Sequence, residues 1–286
     1  QEAMSITDKP LMVYVSPEAP NIVRHLNRSG IAAYGAPESC ASALSALLPR
    51  EAVTTQGRPV TAFDSGHLTA GALNEADAKD LYAHFGVPVT REVTATTPEA
   101  AGEAATSFDG PVVIKILSSE ILHKTEVGGV AVGIQPADVA QACREMLDRV
   151  KSHTDAKVDG FLVQELITGG VEMILGYNRD PQLGAYILLG AGGVTTELYQ
   201  DVALRLLPLD RAGAMQMIHS LKCSALLTGF RGKPAADIDA LTDAVLAFSD
   251  MACALDDRLS EAEINPLFVL PQGQGARAAD GLVVLS

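Results

Sequence analysis

The order of apolar and polar positions divides this chain near residue 50. Before that point, residues 11–15 read as a strand and residues 17–29 as a helix with Ile22, Val23 and Leu26 on one face. Residues 31–34 read as the next strand and residues 37–48 as a second helix. Strand–helix repeats of this length predict parallel pairing. Two such units are too few for an independent domain, so the segment is expected to pack against something absent from the chain. Residues 51–71 hold turn formers without a period and read as a linker.

The pattern then changes. Asn74 is placed to cap a helix running to about residue 84, with Gly86 and Pro88 marking its end. Strands are expected over 90–93, 111–116 and 130–134, and helices over 97–108, with Pro98 in the first turn, and 136–152. The second of these helices turns Val139, Cys143, Met146, Leu147 and Val150 inward. Residues 158–164 and 171–177 read as strands paired antiparallel across a Thr168-Gly169-Gly170 turn. Strands over 185–189 and 203–207, helices over 211–220 and 237–255, and strands over 258–264, 267–270 and 281–285 complete the expectation, with a turn at 272–275. The fold class is thus α/β at the start and α+β with antiparallel sheet afterwards.

Composition narrows the function. A chain of 286 residues that is 48% hydrophobic and 20% charged can bury a full core, and its length suggests about two domains. No apolar run is long enough to span a membrane and no signal peptide pattern is seen, so a cytoplasmic location is expected. Four widely spaced cysteines without C-x-x-C fit a reducing compartment and argue against structural zinc. The net charge of −14 argues against non-specific binding to nucleic acid or an anionic membrane. With no Trp and 5% aromatics, a base-stacking platform is not expected either. A nucleotide held by a local cationic cluster remains open.

Residues 110–133, GPVVIKILSSEILHKTEVGGVAVG, supply such a cluster. Lys115 interrupts an apolar strand, which is costly unless its ammonium is paired or reaches solvent. His123 and Lys124 follow in a polar loop before Gly128-Gly129. A lone loop histidine is ordinarily just solvated, but a neutral imidazole is also a competent nucleophile toward phosphorus. Glu165, within Gln164-Glu165-Leu166-Ile167, sits at a strand end suited either to an adenine edge or to an ordinary sheet edge, and Glu172 lies across the expected turn. Glu263 and Asn265 share one strand face, with Asp280 on a returning segment. Such hard oxygens suit Mg²⁺, while Asn265 before Pro266 also fits a turn role. Gly192 and Gly193 end the glycine loop 190–193, which matches neither the Walker A pattern nor G-x-G-x-x-G. Asp201 and Arg205 read as a surface ion pair.

In this order, the pieces KILSSEILHKTEVGGV, VQELITGGVEMILG, YNRDPQLGAYILLGAGGV, DVALRLLPL, LLTGFRGKP and EINPLFV resemble the ATP-grasp half of NDP-forming acyl-CoA synthetases, relatives of succinyl-CoA synthetase. The resemblance runs over residues 73–285. It implies residues 1–50 as the partial end of a flavodoxin-like CoA-ligase subdomain, 51–71 as linker and 72–286 as an ATP-grasp domain with two subdomains split near 155. The implied reaction joins acid, ATP and CoA into acyl-CoA, ADP and phosphate, through an acyl phosphate and a phosphohistidine. By the same resemblance Lys115 binds nucleotide phosphates, and Glu165, Leu166 and Ile167 meet the adenine. Glu172 meets the ribose, Asn265 and Asp280 with Glu263 hold Mg²⁺, His123 relays phosphate, and Gly192 and Gly193 meet the incoming phosphohistidine segment. The CoA-binding domain and the phosphohistidine itself are expected on a partner, either a separate subunit or an earlier part of a longer polypeptide. Alternatives are a carboxylate–amine ligase of ATP-grasp type and a non-catalytic ATP-sensing domain of an acyltransferase.

Overall fold

A computed structural model describes residues 10–47, 63–66, 68–121, 123–193, 201–230, 232 and 234–286. The chain divides into two units, residues 1–54 and 55–286. In the first, β1 (Met12–Tyr14) and β2 (Ala32–Tyr34) pair in parallel, with α1 (Pro20–Arg28) and α2 (Pro37–Leu47) following them. Asn27 ties α1 to β2 by exchanging two hydrogen bonds with the Ala33 backbone, 2.8 and 3.0 Å. Neither helix has a buried residue, so among its described residues the unit has almost no core.

The second unit holds two antiparallel sheets. The smaller is ordered β4 (Glu92–Ala95), β7 (Gly160–Glu165), β5 (Val112–Leu117), β6 (Val130–Ile134). Alternation along β5 sends Val112, Ile114 and Ile116 into an apolar cluster with α4 (Pro98–Ala105) and α5 (Val139–His153), through Ala101, Cys143, Met146 and Val150. Lys115 therefore faces the other way, the side it shares with Gln164 of β7. Thr97, expected as the first helical residue, instead caps α4 by accepting from Ala100 N–H, and Pro98 stands in the first turn as expected.

The larger sheet is ordered β10 (Val202–Leu206), β9 (Gly184–Ala191), β8 (Val171–Asp180), β11 (Leu259–Val269), β13 (Leu282–Leu285), β3 (Gly71–Ala72), with β12 (Ala276–Ala278) also on β11. It packs with α3 (Glu75–Phe85), α6 (Arg211–Ser220), α7 (Ser224–Leu227) and α8 (Ile238–Leu255), where Tyr82, Phe248, Met173, Leu175, Ile187 and Leu189 are fully or almost fully buried. Asn74 caps α3 through Asp77 N–H, and Gly86, at φ +96°, ends it in the left-handed conformation that favours glycine.

Four expectations are corrected. The strands at 158–164 and 171–177 do not form a hairpin. β7 pairs with β4 and β5, whereas β8 pairs with β9 and β11. With neighbours on both edges, β7 has no edge left for β8, and residues 166–170 carry the chain from one sheet to the other. That passage comes beyond position 155. Gly170 makes it possible: at φ +85°, a Cβ there would lie 2.8 Å from the Val269 carbonyl oxygen. Second, the strands expected at 258–264 and 267–270 are one strand, β11, whose register shifts between Ile264 and Leu267, where Pro266 offers no N–H to the ladder. Third, much of the 51–71 segment lies outside the described residues, but its end is docked: Arg258 donates to Ser65 and to the Leu68 carbonyl, and Gly71–Ala72 joins the sheet. Fourth, Asp201 is no surface partner of Arg205; its carboxylate accepts from the N–H groups of Lys222 and Cys223 at 2.8 and 2.6 Å.

Candidate functional site

β5 carries an ammonium into a strand whose six residues are all buried. Lys115, 5% exposed, is neutralised on the far side of the sheet. Its Nζ donates to Glu75 Oε1 at 2.6 Å, to the Ala279 carbonyl at 2.7 Å and to Asp280 Oδ2 at 3.1 Å. Snorkelling to solvent is thus excluded as the reason for this lysine. Burial works against the ammonium, but Glu75 and Asp280 outweigh it and raise the Lys115 pKa above its ordinary 10.5.

The polar loop after β5 returns to the same point. Ile116 N–H donates to the Gly129 carbonyl and Gly129 N–H to the Lys124 carbonyl, at 2.8 and 2.7 Å. A Cβ on Gly129 would stand 2.9 Å from Ile116 Cγ2, so the loop closes this tightly only on glycine. Closure brings Lys124 Nζ to 3.0 Å from Glu75 Oε2 and 3.3 Å from Asp280 Oδ1. His123, the preceding residue, is exposed, and its side chain makes no hydrogen bond or ion pair among the described residues.

Asp280 comes from the segment between β12 and β13. Tyr82 fixes that segment: its hydroxyl donates to the Leu282 and Glu263 carbonyls at 2.6 and 3.0 Å. Gly281 lies against the ring, where a Cβ would come within 2.7 Å of Tyr82 Cε2. Glu263 pairs in register with Leu282, and Ala279 N–H donates to the Pro266 carbonyl, so Glu263, Asn265 and Asp280 belong to adjoining backbone. Asn265 Nδ2 donates to Glu263 Oε1 at 3.1 Å. Two carboxylates and an amide oxygen are the hard donors that Mg²⁺ takes alongside phosphate oxygens. No cluster of three or more His, Cys, Asp or Glu suited to a metal occurs among the described residues, so phosphate and water would complete any such ion's shell. On this donor chemistry the three residues fit the ion.

Burial alone raises the Asp280 carboxyl, but Lys115 and Lys124 overcome it and hold the group at about 2. A depressed carboxylate contributes stability above its unfolded pKa, here 3.8, and loses it as pH falls toward the folded value. Comparing acid unfolding of the wild type and Asp280→Asn in metal-free buffer is expected to show a stability difference at neutral pH that closes as pH approaches about 2. A gap that persists undiminished in acid would contradict the ion pairing.

The remaining candidates fall elsewhere. Glu172 meets the glycine loop: Gly192 N–H donates to its carbonyl at 2.7 Å, and Gly193, at φ +71°, would bring a Cβ within 3.1 Å of its carboxylate. Glu165 is turned to the residue preceding β4, where its carboxylate accepts from Arg91 N–H at 2.7 Å. It is not a turn neighbour of Glu172, since the two belong to different sheets. Leu166 and Ile167 are half-buried in the connection between sheets. Sequence reasoning missed Glu75 and Lys79 altogether. Lys79 Nζ donates to Glu75 Oε1, Thr90 Oγ1, Glu92 and Gln164 Oε1, joining α3 to the smaller sheet. The only local signal was a Glu–Lys pair at i,i+4 on a capped helix, which is commonplace.

The family described as ATP-grasp domain matches residues 67–285. The chain is 33% identical over 216 residues to the beta subunit of acetate–CoA ligase [ADP-forming] II of Pyrococcus furiosus, covering 75% of this chain and 92% of that one. It is 34% identical to acetate–CoA ligase [ADP-forming] I of Archaeoglobus fulgidus, but spans only 30% of that longer protein. A solved structure of dinucleotide-forming acetyl-coenzyme A synthetase 1 from Ca. Korarchaeum cryptofilum aligns with a TM-score of 0.64 at 35% identity, covering 75% of this chain and 93% of that one. That structure holds coenzyme A and Mg-AMPPCP, with its phosphohistidine segment pointing towards the nucleotide-binding site.

Proposed function

The chain belongs to the ATP-grasp family, and on that footing we propose that it is the ATP-binding, phosphoryl-transferring portion of an ADP-forming acid–CoA ligase. The observation that carries this reading is the pair of ammoniums, Lys115 and Lys124, brought from a strand and a glycine-closed loop onto one acidic point beside Glu263 and Asn265. Cations so placed bind phosphate oxygens and stabilise charge as a phosphoryl group leaves ADP. Mg²⁺, held by Asp280, Asn265 and Glu263, supplies further charge neutralisation at those phosphates when bound. Glu165, at the end of β7, and Leu166 and Ile167 in the connection beyond it are proposed to meet the adenine, and Glu172 is assigned to the ribose. Gly192 and Gly193, without side chains, leave room for an approaching segment of another domain.

That segment belongs to a partner. The phosphoryl group passes to a histidine of a CoA-binding domain, carried by another subunit or another part of the same polypeptide, which completes acyl-CoA from a small carboxylic acid and CoA. Residues 1–50 are assigned to the end of a flavodoxin-like CoA-ligase subdomain, 51–71 to a connection and 72–286 to the ATP-grasp domain. Their almost coreless first unit supports a missing apolar neighbour. No helix among the described residues is long and apolar enough to cross a membrane, and we assign the protein to the cytoplasm.

The test supplies the CoA-binding half of a related ligase together with ATP, CoA and a panel of carboxylic acids. ADP, phosphate and a thioester are the expected products. AMP and pyrophosphate would overturn the assignment.

A further inference from the structure

We propose that Glu75 is the positioning carboxylate of the phosphate-binding lysines, holding Lys115 and Lys124 in place so that Asp280 is free to turn toward a bound nucleotide and its metal. The inference rests on the nucleotide-binding reading above and assigns a role to a residue outside every motif in the sequence.

Three ammoniums converge on this one carboxylate. Glu75 Oε1 accepts from Lys115 at 2.6 Å and from Lys79 at 3.2 Å. Oε2 has no aligned hydrogen bond among the described residues, and Lys124 stands 3.0 Å from it as an ion pair. Asp280 touches two of the same lysines, but Glu75 is the nearer partner of both: 2.6 against 3.1 Å for Lys115, and 3.0 against 3.3 Å for Lys124. Their surroundings differ more. The Glu75 side chain is 1% exposed and begins a capped helix, whereas that of Asp280 is 28% exposed on a connecting segment. Glu75 is the fixed inner anion and Asp280 the outer one that a ligand can reach.

Lys79 anchors the arrangement. It is held independently by Glu92, Thr90 and Gln164, and it shares Glu75 Oε1 with Lys115. Without Glu75, Asp280 would be the one carboxylate left to both outer lysines, with the Ala279 carbonyl as the further acceptor of Lys115. Their ammoniums would then move toward Asp280, tie up its oxygens and leave the phosphate positions less well matched. A carboxylate so close to a phosphate site would repel the nucleotide if it stood alone, but three ammoniums face it.

The experiment titrates ADP into the full chain by calorimetry, with and without Mg²⁺, for the wild type, Glu75→Asp, Glu75→Gln and Glu75→Gln/Lys79→Met. Binding by the wild type reads the nucleotide-binding proposal by itself; if it fails there, that reading falls, and not merely the role of Glu75. Given wild-type binding, Glu75→Gln is expected to weaken ADP by about tenfold, and Glu75→Asp, which keeps the charge but retracts it, by about threefold. The double variant removes one buried anion and one buried cation together but also leaves Glu92 without Lys79, so its thermal stability is expected to recover in part from that of the single variant while its ADP affinity does not. A merely structural carboxylate gives the opposite pattern: affinity returns with stability. Wild-type affinity in the folded double variant overturns the proposal. Should both glutamine-bearing variants fail to fold, wild-type affinity in Glu75→Asp overturns it equally.

Discussion

Replacing Lys115 by methionine is expected to weaken ATP binding by about a hundredfold or more, because it removes a charge-assisted contact to phosphate and leaves the cradle with an excess of anions. The site balances three carboxylates, Glu75, Asp280 and Glu92, against three ammoniums, Lys79, Lys115 and Lys124. Methionine nearly matches the lysine in length and suits the buried strand, so packing is preserved while the charge is lost. Glu75 and Asp280 then face each other with one bridging cation fewer. Removing one partner from a buried ion pair costs about 3–5 kcal/mol, so the thermal midpoint should fall as well. Two measurements separate the effects: calorimetric titration of ATP below the variant's unfolding transition, and the unfolding transition itself. Arginine at the same position keeps the charge, but its planar fork is not interchangeable with an ammonium surrounded by three acceptors, so only partial recovery is expected. A folded Lys115→Met protein that binds ATP as the wild type does would remove Lys115 from the nucleotide site.

Lys115 was legible in the sequence because its contradiction is local: a cation within VVIKIL has to be explained wherever the strand is placed. Its answering anions were harder to find. Asp280 was read beside Glu263 and Asn265 as a metal donor and not as a partner of Lys115, and Glu75 did not come at all. Glu75 looks like an ordinary acidic residue in the first turn of a capped helix, where the helix dipole welcomes it. What distinguishes it is the convergence of side chains from positions 79, 115 and 124, and no periodicity encodes that convergence. The same limit explains the false hairpin. Thr168-Gly169-Gly170 is a sound local turn signal between two apolar runs, but it is silent on whether β7 still has an open edge. Caps and breakers fared better. Asn74 caps its helix as expected, since capping is settled within four residues, and Thr97 and Asp237, expected as the first residues of theirs, stand one place earlier as caps.

Replacing His123 by alanine is expected to leave ATP affinity within about twofold of the wild type while slowing phosphoryl transfer to a partner histidine by about a hundredfold or more. The separation follows from where its neighbours are held. Lys124 reaches inward to Glu75 and Asp280, and its carbonyl accepts from Gly129, so the backbone at 124 is fixed from both sides. His123 is one residue away, about 3.8 Å between Cα atoms, and it is exposed. It makes no contact that the nucleotide cradle depends on, so its removal leaves Lys115, Lys124 and Asp280 as they are. A neutral ring nitrogen on that loop would accept the phosphoryl group as its bond to the ADP oxygen breaks, and then yield it to a second histidine as the new bond to nitrogen breaks in turn. Rapid-quench transfer from labelled ATP, in the presence of the CoA-binding half, measures the step directly. An acid-labile phosphorylated intermediate on this chain is expected in the wild type and not in His123→Ala. Transfer at the wild-type rate in the alanine variant would mean that the partner's histidine takes the phosphoryl group from ATP itself, with the loop serving only to carry Lys124 to the phosphates.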